Sequence, residues 1–242
     1  MIGAWIAKLR GNSTDFPPLA PATPFYAIGD IHGRADLLIR ALEQLPPTGS
    51  IICVGDYIDR GENSAEVLRL LHNRHDIQCL KGNHEEMLLK FLDDPANQGP
   101  RWLRYGGLQT LASFGVSSVA ETSNSDRLLE ARDALVTAMG SELINWVRAL
   151  PLSFSSGNIV VVHAAADPKT APQDQQQRHL LWGHPEFHKT RRQDGIWIVH
   201  GHTIVDDPTA QNGRIAIDTG AYATGKLTIA EIGPDSVSFS TA

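Results

Sequence analysis

The sequence has few of the features that mark several large classes of protein. Its two cysteines, Cys53 and Cys79, both lie in apolar runs, so we expect buried, reduced thiols and no disulfide framework. No apolar run reaches the roughly 18 residues that a membrane span requires. The apolar patch at residues 3–7 precedes its basic residues, unlike a secretory signal. We therefore expect a cytoplasmic protein with no stable membrane insertion.

Basic residues are also in the minority. The chain has 21 Lys and Arg against 27 Asp and Glu, a formal net charge of -6. Binding to a nucleic-acid backbone depends on patches of Lys and Arg, so no nucleic-acid partner is expected. The one basic cluster, Lys189, Arg191 and Arg192, is predicted to be a solvated loop. The 42% of hydrophobic residues suffice for a globular core.

The chain is predicted to have an extended N-terminal lead-in at residues 1–24, rich in proline near its end, followed by a single domain at 25–242. Apolar runs at 25–28, 50–54 and 77–80 each lead to a Gly-Asp or Gly-Asn pair. Helical spacing of apolar residues follows at 34–44, 65–73 and 85–92. Successive strand–loop–helix units of this kind predict a parallel sheet with ligands at the strand carboxyl ends.

Residues of about 95–150 carry helical patterns and no strand, which predicts a helical cap insertion. Its stretch WLRYGG, residues 102–107, is interpreted as cap packing in preference to a substrate wall. Strands are predicted at 152–154, 159–162 and 196–199, and runs at 215–217, 227–232 and 236–239 are expected to close the chain as an antiparallel series. The predicted class is α/β, with two packed mixed sheets flanked by helices.

Side chains that bind metals recur just beyond the predicted strand ends. They are Asp30 and His32 in GDIHG, Asp56 and Asp59 in GDYIDRG, Asn83 and His84 in GNHE, His163 in VVHA, and His202 in HGHT. Each alone is weak evidence, since an Asp after Gly is usually a turn residue and a lone His is more often hydrogen-bonded. Together, at one sheet edge, they offer carboxylate, imidazole and amide ligands suited to Mn, Fe or Zn.

These motifs, in this order and spacing, resemble the calcineurin-like metallophosphoesterases, and specifically the phosphoprotein phosphatase branch with its small bacterial and phage members. The resemblance spans residues 25 to about 220. It implies a four-layer sandwich with two divalent metal ions, Mn being favoured and Fe or Zn being the other candidates. The implied ligands are Asp30 and His32 for one ion, Asn83, His163 and His202 for the other, and Asp56 for both.

The resemblance also implies a reaction, the hydrolysis of phosphate monoesters by in-line attack of a hydroxide that bridges the two ions. His84 would be the general acid that protonates the leaving oxygen, and Asp59 would orient it. Arg60 and Asn83 would bind the substrate phosphate. The implied substrate is a phosphorylated protein, with phosphate on serine or threonine and tyrosine as an addition, or a small phosphate ester.

Two details favour the phosphatase branch. Ile204 stands where phosphodiesterase-type relatives have a second histidine. His32 stands where the corresponding motif of symmetrical diadenosine tetraphosphate hydrolases, Gly-Asp-Ile-Gln-Gly, has glutamine. That hydrolase, or a small-molecule phosphatase, remains the alternative enzyme. A metal-binding scaffold without activity and a nuclease are alternatives from other classes, and the acidic net charge counts against the nuclease.

One feature departs from the family pattern, in which a second phosphate-binding arginine follows a Leu-Trp pair. Here residues 181–182 are followed by Gly183-His184-Pro185. The candidates to replace it are Arg178, Arg191 and Arg192. His184 and His188 are expected to be solvent-exposed, and His200 is expected to be a buried residue at a strand end.

Overall fold

A computed structural model describes residues 16–242. Most of the predicted lead-in, residues 1–15, lies outside the described residues. The rest of it, 16–24, is irregular and packs along the edge of the fold. Phe16 and Leu19 are buried, and the Phe16 ring meets Trp197 edge-on at 5.2 Å. The Asn158 amide accepts a hydrogen bond from Ala20 N–H, so these residues are tied to the second sheet.

Ten strands form two five-stranded mixed sheets within the described residues. The first sheet has the order β10-β9-β1-β2-β3 and the second β4-β5-β6-β8-β7. The strands are β1 (Phe25–Ile28), β2 (Ser50–Cys53), β3 (Ile77–Cys79), β4 (Ser153–Ser156), β5 (Ile159–Val162), β6 (Trp197–His200), β7 (Thr209–Gln211), β8 (Arg214–Ala216), β9 (Thr228–Gly233) and β10 (Ser236–Thr241). Strands β1, β2 and β3 are mutually parallel, as are β5, β6 and β8.

Helices follow the first three strands and fill the region between β3 and β4. They are α1 (Ala35–Gln44), α2 (Ser64–His72), α3 (Asn83–Asp93), α4 (Pro95–Trp102), α5 (Leu108–Ser113), α6 (Ser125–Ala149), α7 (Gln177–Trp182) and α8 (Ala221–Thr224). A single π-helical segment, Leu103–Gly107, joins α4 to α5. No strand interrupts residues 95–149. Among residues 16–242, no helix combines the length and apolar character needed to cross a membrane.

Alternating side chains on each strand sort the core into layers. Phe25 and Ala27 face the second sheet and pack with Ile159 and Val161, whereas Ile28 faces the helices. A third cluster covers the outer face of the second sheet. The resulting order of helices, sheet, sheet and outer layer agrees with the predicted α/β sandwich. Cys53 and Cys79 are cross-strand neighbours, buried and free, as predicted.

The predicted antiparallel series at the end of the chain is wrong. Strand β8 lies in the second sheet, parallel to β6, and pairs antiparallel with β7, which the prediction missed. Strands β9 and β10 return to the first sheet, where β9 pairs antiparallel with β1. Because the chain between 217 and 227 crosses from one sheet to the other, periodicity alone could not assign partners. Asn212-Gly213, a typical two-residue hairpin turn, was the available signal for β7.

Candidate metal centre

The side chains at the strand carboxyl ends converge, because those ends share one edge of the molecule. Asp30 and His32 follow β1, Asp56 follows β2, Asn83 begins α3 after β3, His163 follows β5 and His202 follows β6. All are buried apart from His202, which is partly exposed. Both sheets therefore contribute to one site.

The backbone of these loops is strained at the residues that face the site. His32, Asp56, Asp59, Arg60 and His202 all have positive φ angles, between 46° and 71°. Such values are uncommon for residues with a Cβ and persist where the surroundings impose them, typically at functional sites. The loops turn sharply so that each side chain points inward.

Two groups of donor atoms share a single carboxylate. In each group the donor atoms lie within 4.8 Å of one another, and Asp56 belongs to both, once with His32 and His84 and once with His163 and His202. The two oxygens of Asp56 serve different groups, since Oδ2 lies 3.6 Å from His32 Nε2 and Oδ1 lies 3.4 Å from His163 Nε2. A carboxylate shared between two donor groups is an arrangement that can hold two neighbouring cations.

Backbone carbonyls fix the tautomers of two imidazoles. His32 Nδ1 lies 2.8 Å from the carbonyl oxygen of Ile58, and His163 Nδ1 lies 3.2 Å from that of Val54. A carbonyl can only accept, so each Nδ1 carries the proton and each Nε2 presents a lone pair to the site. This pattern is typical of histidines that bind metals.

The amide oxygen of Asn83 completes the second group. Asn83 Oδ1 lies 2.8 Å from both His163 Nε2 and His202 Nδ1. Because His163 Nε2 carries a lone pair, electron-rich atoms of Asn83, His163 and Asp56 face one another. A cation among them would satisfy all three, so this donor set fits a metal ion.

Asp30 is not one of the residues whose donor atoms cluster within 4.8 Å, but its side chain contacts the backbone of His202. Its Oδ2 accepts a hydrogen bond from His202 N–H at 3.0 Å, and its Oδ1 is buried without a partner among the described residues. Gly201 packs against that oxygen so closely that a Cβ would collide with it. A buried, unpartnered carboxylate oxygen also fits an absent cation.

The charges of the site favour metal binding. Burial lowers the pKa of His32 to about 3 and that of His163 to about 4, so both imidazoles are neutral near pH 7 and able to bind a cation. Burial opposes ionisation of Asp56, but His163, His84 and His32 together hold its pKa below the ordinary value. Burial and the nearby Asp218 carboxyl raise the pKa of Asp30, an effect that a neighbouring cation would reverse.

His84 and Asp59 form a buried dyad beside these donors. His84 Nδ1 lies 2.6 Å from Asp59 Oδ2, and both side chains are almost completely buried. Burial alone would lower the pKa of His84, but Asp56 and the hydrogen-bonded Asp59 outweigh it and raise that pKa. His84 Nε2 points to the site, 3.8 Å from Asp56 Oδ2. The imidazole can therefore hold a proton toward a reacting group.

The helical region holds Asp59 from the other side, which the sequence did not indicate. Trp102 Nε1–H donates to both Asp59 oxygens, at 3.0 and 3.2 Å, and the Thr110 hydroxyl donates to Asp59 Oδ1 at 2.6 Å. Asp59 N–H in turn donates to the hydroxyl oxygens of Thr110 and Ser64. The carboxylate thus has several donors besides His84, which fixes its orientation.

The WLRYGG stretch is therefore more than cap packing. Trp102 is fully buried and belongs to the dyad's support, whereas Tyr105 is 49% exposed. Gly106, with φ of 110°, offers its carbonyl to Arg60 N–H at 3.4 Å, and a Cβ there would meet the Arg60 backbone. The glycine lets the helical region approach the GDYIDRG loop closely.

Arg60 reaches across the centre of the site. Its Nη1 lies 3.2 Å from His32 Nε2 and its Nη2 lies 3.3 Å from His84 Nε2. The guanidinium lies over the Tyr222 ring, 4.8 Å from the centroid, and Tyr222 also meets His32 edge-on. Tyr222, on the short helix α8, is a further site residue that the sequence analysis missed, because no motif precedes it.

Glu85, the last residue of GNHE, holds two of the loops together. Its carboxylate accepts hydrogen bonds from the backbone N–H groups of Asp56, Tyr57 and Gly82, at 2.8–2.9 Å. A Cβ at Gly82 would collide with Asp56, so the two loops approach closely. Burial, followed by the charge of Asp56, raises the pKa of Glu85 to about 7.

The prediction that Arg192 is a solvated residue is wrong. Arg192 is 4% exposed, donates to the carbonyl oxygens of Asp167 and Thr170, and pairs with Asp194. Carbonyls of a tight turn need donors, and Arg192 supplies them, so its guanidinium is not free for phosphate. A run of charged residues gives no sign of such backbone contacts.

The two other arginines are also engaged elsewhere. Arg191 lies over the Phe16 ring, 5.1 Å from the centroid, and Arg178 donates to His179 Nε2 at 3.0 Å. His188 is exposed as predicted, whereas His184 is only partly exposed. His200 is buried at the end of β6, as predicted.

A groove of about 360 Å³ opens beside the site. We call it the side groove, and its lining includes Ala164, Ala165, Trp182, His184, Phe187 and His202. Because His202 also belongs to the second donor group, the groove leads directly to the candidate metal centre.

Comparison with known proteins agrees with this geometry. A family model described as calcineurin-like phosphoesterase matches residues 23–223. Serine/threonine-protein phosphatase 2 of Salmonella typhimurium is 31% identical over 220 residues, covering 86% of this chain and 92% of that protein. The asymmetrical bis(5'-nucleosyl)-tetraphosphatase PrpE of Bacillus velezensis is 29% identical over 231 residues, covering 83% and 86%.

A solved structure shares the fold. The crystal structure of a metallophosphoesterase from Sphaerobacter thermophilus matches with a TM-score of 0.55 and 16% identity, covering 90% of this chain and 88% of that one. At this identity the match concerns the fold alone. It agrees with the two-sheet architecture described above.

Proposed function

The chain belongs to the calcineurin-like phosphoesterase family, a family of metal-dependent phosphoester hydrolases. On that premise, we propose that it is a protein phosphatase acting on phosphoserine and phosphothreonine, with phosphotyrosine as a further substrate. The observation that carries the proposal is the pair of donor groups that share Asp56, next to the His84–Asp59 dyad. No other cluster within residues 16–242 combines two donor groups with a proton donor.

We assign one divalent ion to Asp30, His32 and Asp56. The second is assigned to Asp56, Asn83, His163 and His202. Manganese is proposed for both, because the ligands mix oxygen and nitrogen. Two such ions, when bound, would supply Lewis acidity toward the phosphoryl group and an activated water. Asp30 is assigned to the first ion because its Oδ1 is buried without a partner among the described residues, while its Oδ2 accepts from His202 N–H.

Arg60 and Asn83 would orient the phosphate. The Arg60 guanidinium already lies between His32 and His84, and its planar fork matches two phosphate oxygens, which a lysine could not reproduce. The Tyr222 ring packs against the guanidinium and supports its position. The phosphate would thus replace the imidazole nitrogens as the partner of Arg60.

His84 would donate a proton to the departing serine or threonine oxygen through Nε2. Asp59 holds Nδ1–H at 2.6 Å, which favours the protonated imidazole and aims the other nitrogen at the site. A positioned acid of this kind accelerates such a step about 100- to 10,000-fold. Trp102 and Thr110 keep Asp59 in place during the transfer.

The competing substrate class is the dinucleoside tetraphosphates, favoured by the similarity to a tetraphosphatase over 83% of this chain. A phosphoserine peptide, a phosphotyrosine peptide, an aryl phosphate and diadenosine tetraphosphate should be compared side by side with manganese. We expect phosphate release from the peptides to exceed dinucleotide cleavage. A preference for the dinucleotide would indicate a dinucleoside tetraphosphate hydrolase instead of a protein phosphatase. No turnover of any substrate with metal bound would favour a scaffold without activity.

A further inference from the structure

Strand β8 ends at the same edge of the molecule as the strands that supply the candidate metal centre. It runs parallel to β6 and ends at Ala216. Asp218 stands two residues beyond that end, just as Asp30 stands two residues beyond the end of β1. Ligands of such sheets bind at the carboxyl ends of the strands, so Asp218 is a candidate member of the site. The sequence analysis did not single it out.

The backbone of Asp218 lies between the GDIHG loop and the segment that begins with HGHT. Ile217 N–H donates to the carbonyl oxygen of His200 at 3.0 Å, and Val205 N–H donates to that of Asp218 at 2.9 Å. A Cβ at Gly29 would lie 2.3 Å from the Ile217 carbonyl oxygen, so the GDIHG loop touches the end of β8. Both neighbouring segments carry side chains that are assigned to the ions.

The side chain of Asp218 is buried without a cation beside it. The residue is 3% exposed, and its Oδ1 accepts a hydrogen bond from Gly220 N–H at 2.8 Å. Arg60 is the one basic side chain whose charge acts on it, and the two form no ion pair within residues 16–242. Asp30 is 2% exposed, and its Oδ1 has no partner among the same residues. Aspartates are rarely buried unless they are paired, so these two indicate an absent cation.

The two carboxylates also act on each other. After burial, the charge of Asp218 is the largest influence that raises the pKa of Asp30. Repulsion between buried like charges costs free energy, and a divalent cation near them would replace it with attraction. We propose that Asp218 is a positioning residue for the first ion, because its carboxylate lies near that of Asp30 and adds negative charge to the ion's surroundings. The inference rests on the proposed function for the assignment of that ion.

Asp218 differs from Asp30 in how its oxygens are used. Asp30 has a buried oxygen without a partner, which is the atom available to the ion, whereas neither oxygen of Asp218 is in that condition. Asp218 therefore acts through Asp30 and the charge that the two share. Side chains that support metal ligands in this way typically change the affinity for the metal about 10- to 100-fold.

The test is the binding of manganese to the metal-stripped full chain in the absence of substrate. Free Mn²⁺ is counted by its electron paramagnetic resonance signal as manganese is added, so the affinities are obtained without any activity. We expect wild type to bind two ions, and Asp218→Asn to bind one of them about 10- to 100-fold more weakly. The affinity for the other ion should stay the same, whereas a general loss of structure would lower both.

Asp207→Asn is the matched control, since it removes the same charge from an exposed residue that follows His202 closely in sequence. Solvent and salt screen such a charge, so both affinities should remain those of wild type. Asp218→Ser is a second variant, because asparagine and serine can each accept the hydrogen bond from Gly220 N–H. Thermal melts without metal show whether each variant is folded.

Wild-type affinities in a folded Asp218→Asn or Asp218→Ser variant would overturn the proposal, as would an equal loss in Asp207→Asn. If wild type bound no manganese, the assignment of the ions would fall, and this inference with it. Two bound ions, one of them weakened in Asp218→Asn, would support the inference even if the chain released no phosphate from a phosphoserine peptide. That last result would contradict the proposed function alone.

Discussion

The strand-end loops and the helical region at residues 95–149 reach the same aspartate by different routes. The loops supply Asp59, His84 and Arg60 from short motifs close to strand ends. The helical region supplies Trp102 and Thr110, which are 43 and 51 positions away from Asp59 along the chain. Residues of the loops face the reacting space, and those of the helices face the back of the dyad. The residues assigned to the reaction thus lie in short motifs, whereas the residues that support the dyad are distant from it in sequence.

If this division holds, substitutions in the loops should abolish chemical steps, and substitutions in the helices should weaken them. The largest effect is expected for Asp56→Asn, because that residue alone belongs to both donor groups. We expect kcat/KM to fall about 1,000-fold or more, since several kcal/mol of charge stabilisation would be lost. Bound manganese should fall as well. Activity within tenfold of wild type, with metal content unchanged, would exclude Asp56 as the shared ligand.

His84→Asn tests the loop chemistry without touching an assigned metal ligand. Turnover of a phosphoserine peptide should fall about 100- to 10,000-fold, because a serine alkoxide needs protonation as it leaves. An aryl phosphate with a good leaving group should be much less affected, and the metal content should stay constant. An equal loss on both substrates would remove the general acid role from His84.

Trp102→Phe tests the contribution of the helical region. The ring is retained while the N–H donor to Asp59 is lost, and a hydrogen bond to a charged group is worth about 1.5–3 kcal/mol. We expect kcat to fall about 10- to 100-fold, with KM nearly constant. Trp146→Phe, on α6 and without contact to Asp59, is the matched control. A similar loss in both variants would attribute the effect to packing.

The smallest effect on turnover is expected for Arg192→Ala, which removes support for the fold and leaves the dyad intact. The loss of buried hydrogen bonds to Asp167 and Thr170 carbonyls should destabilise the chain by about 2–4 kcal/mol. Denaturant unfolding measures this, and Arg191→Ala, the neighbour on the Phe16 ring, should change stability much less. Equal stability of the two variants would mean that Arg192 contributes no more to the fold than a solvated residue does.

The sequence predicted the parts of the fold that depend on local pattern. The first three strand–loop–helix units appear within one or two residues of their predicted bounds, because alternation and helical spacing are properties of neighbouring residues. Strands β8 and β9 were assigned to one series and lie in different sheets. Their pairing depends on the path of the loop between them, which no short-range pattern records.

The residues of the site were likewise predictable only where a local sequence motif marked them. Glycine-flanked Asp and His residues pointed to a metal centre, and those side chains do converge. Glu85 was visible in GNHE, yet its three contacts with backbone N–H groups depend on how two loops meet. Trp102 lay in the WLRYGG stretch, which was interpreted as cap packing because a buried Trp is most often core, and Thr110 lay in no motif. Each of these residues acts through contacts that exist only in the folded chain.

The most direct test of the account is a manganese titration of metal-stripped protein with a phosphoserine peptide as substrate. If two donor groups share Asp56, phosphate release should be absent without metal, and should rise with added manganese until the two main positions are filled. Asp56→Asn should show no comparable rise. Phosphate release that is independent of metal, or manganese binding at both positions with no release of phosphate, would contradict the account.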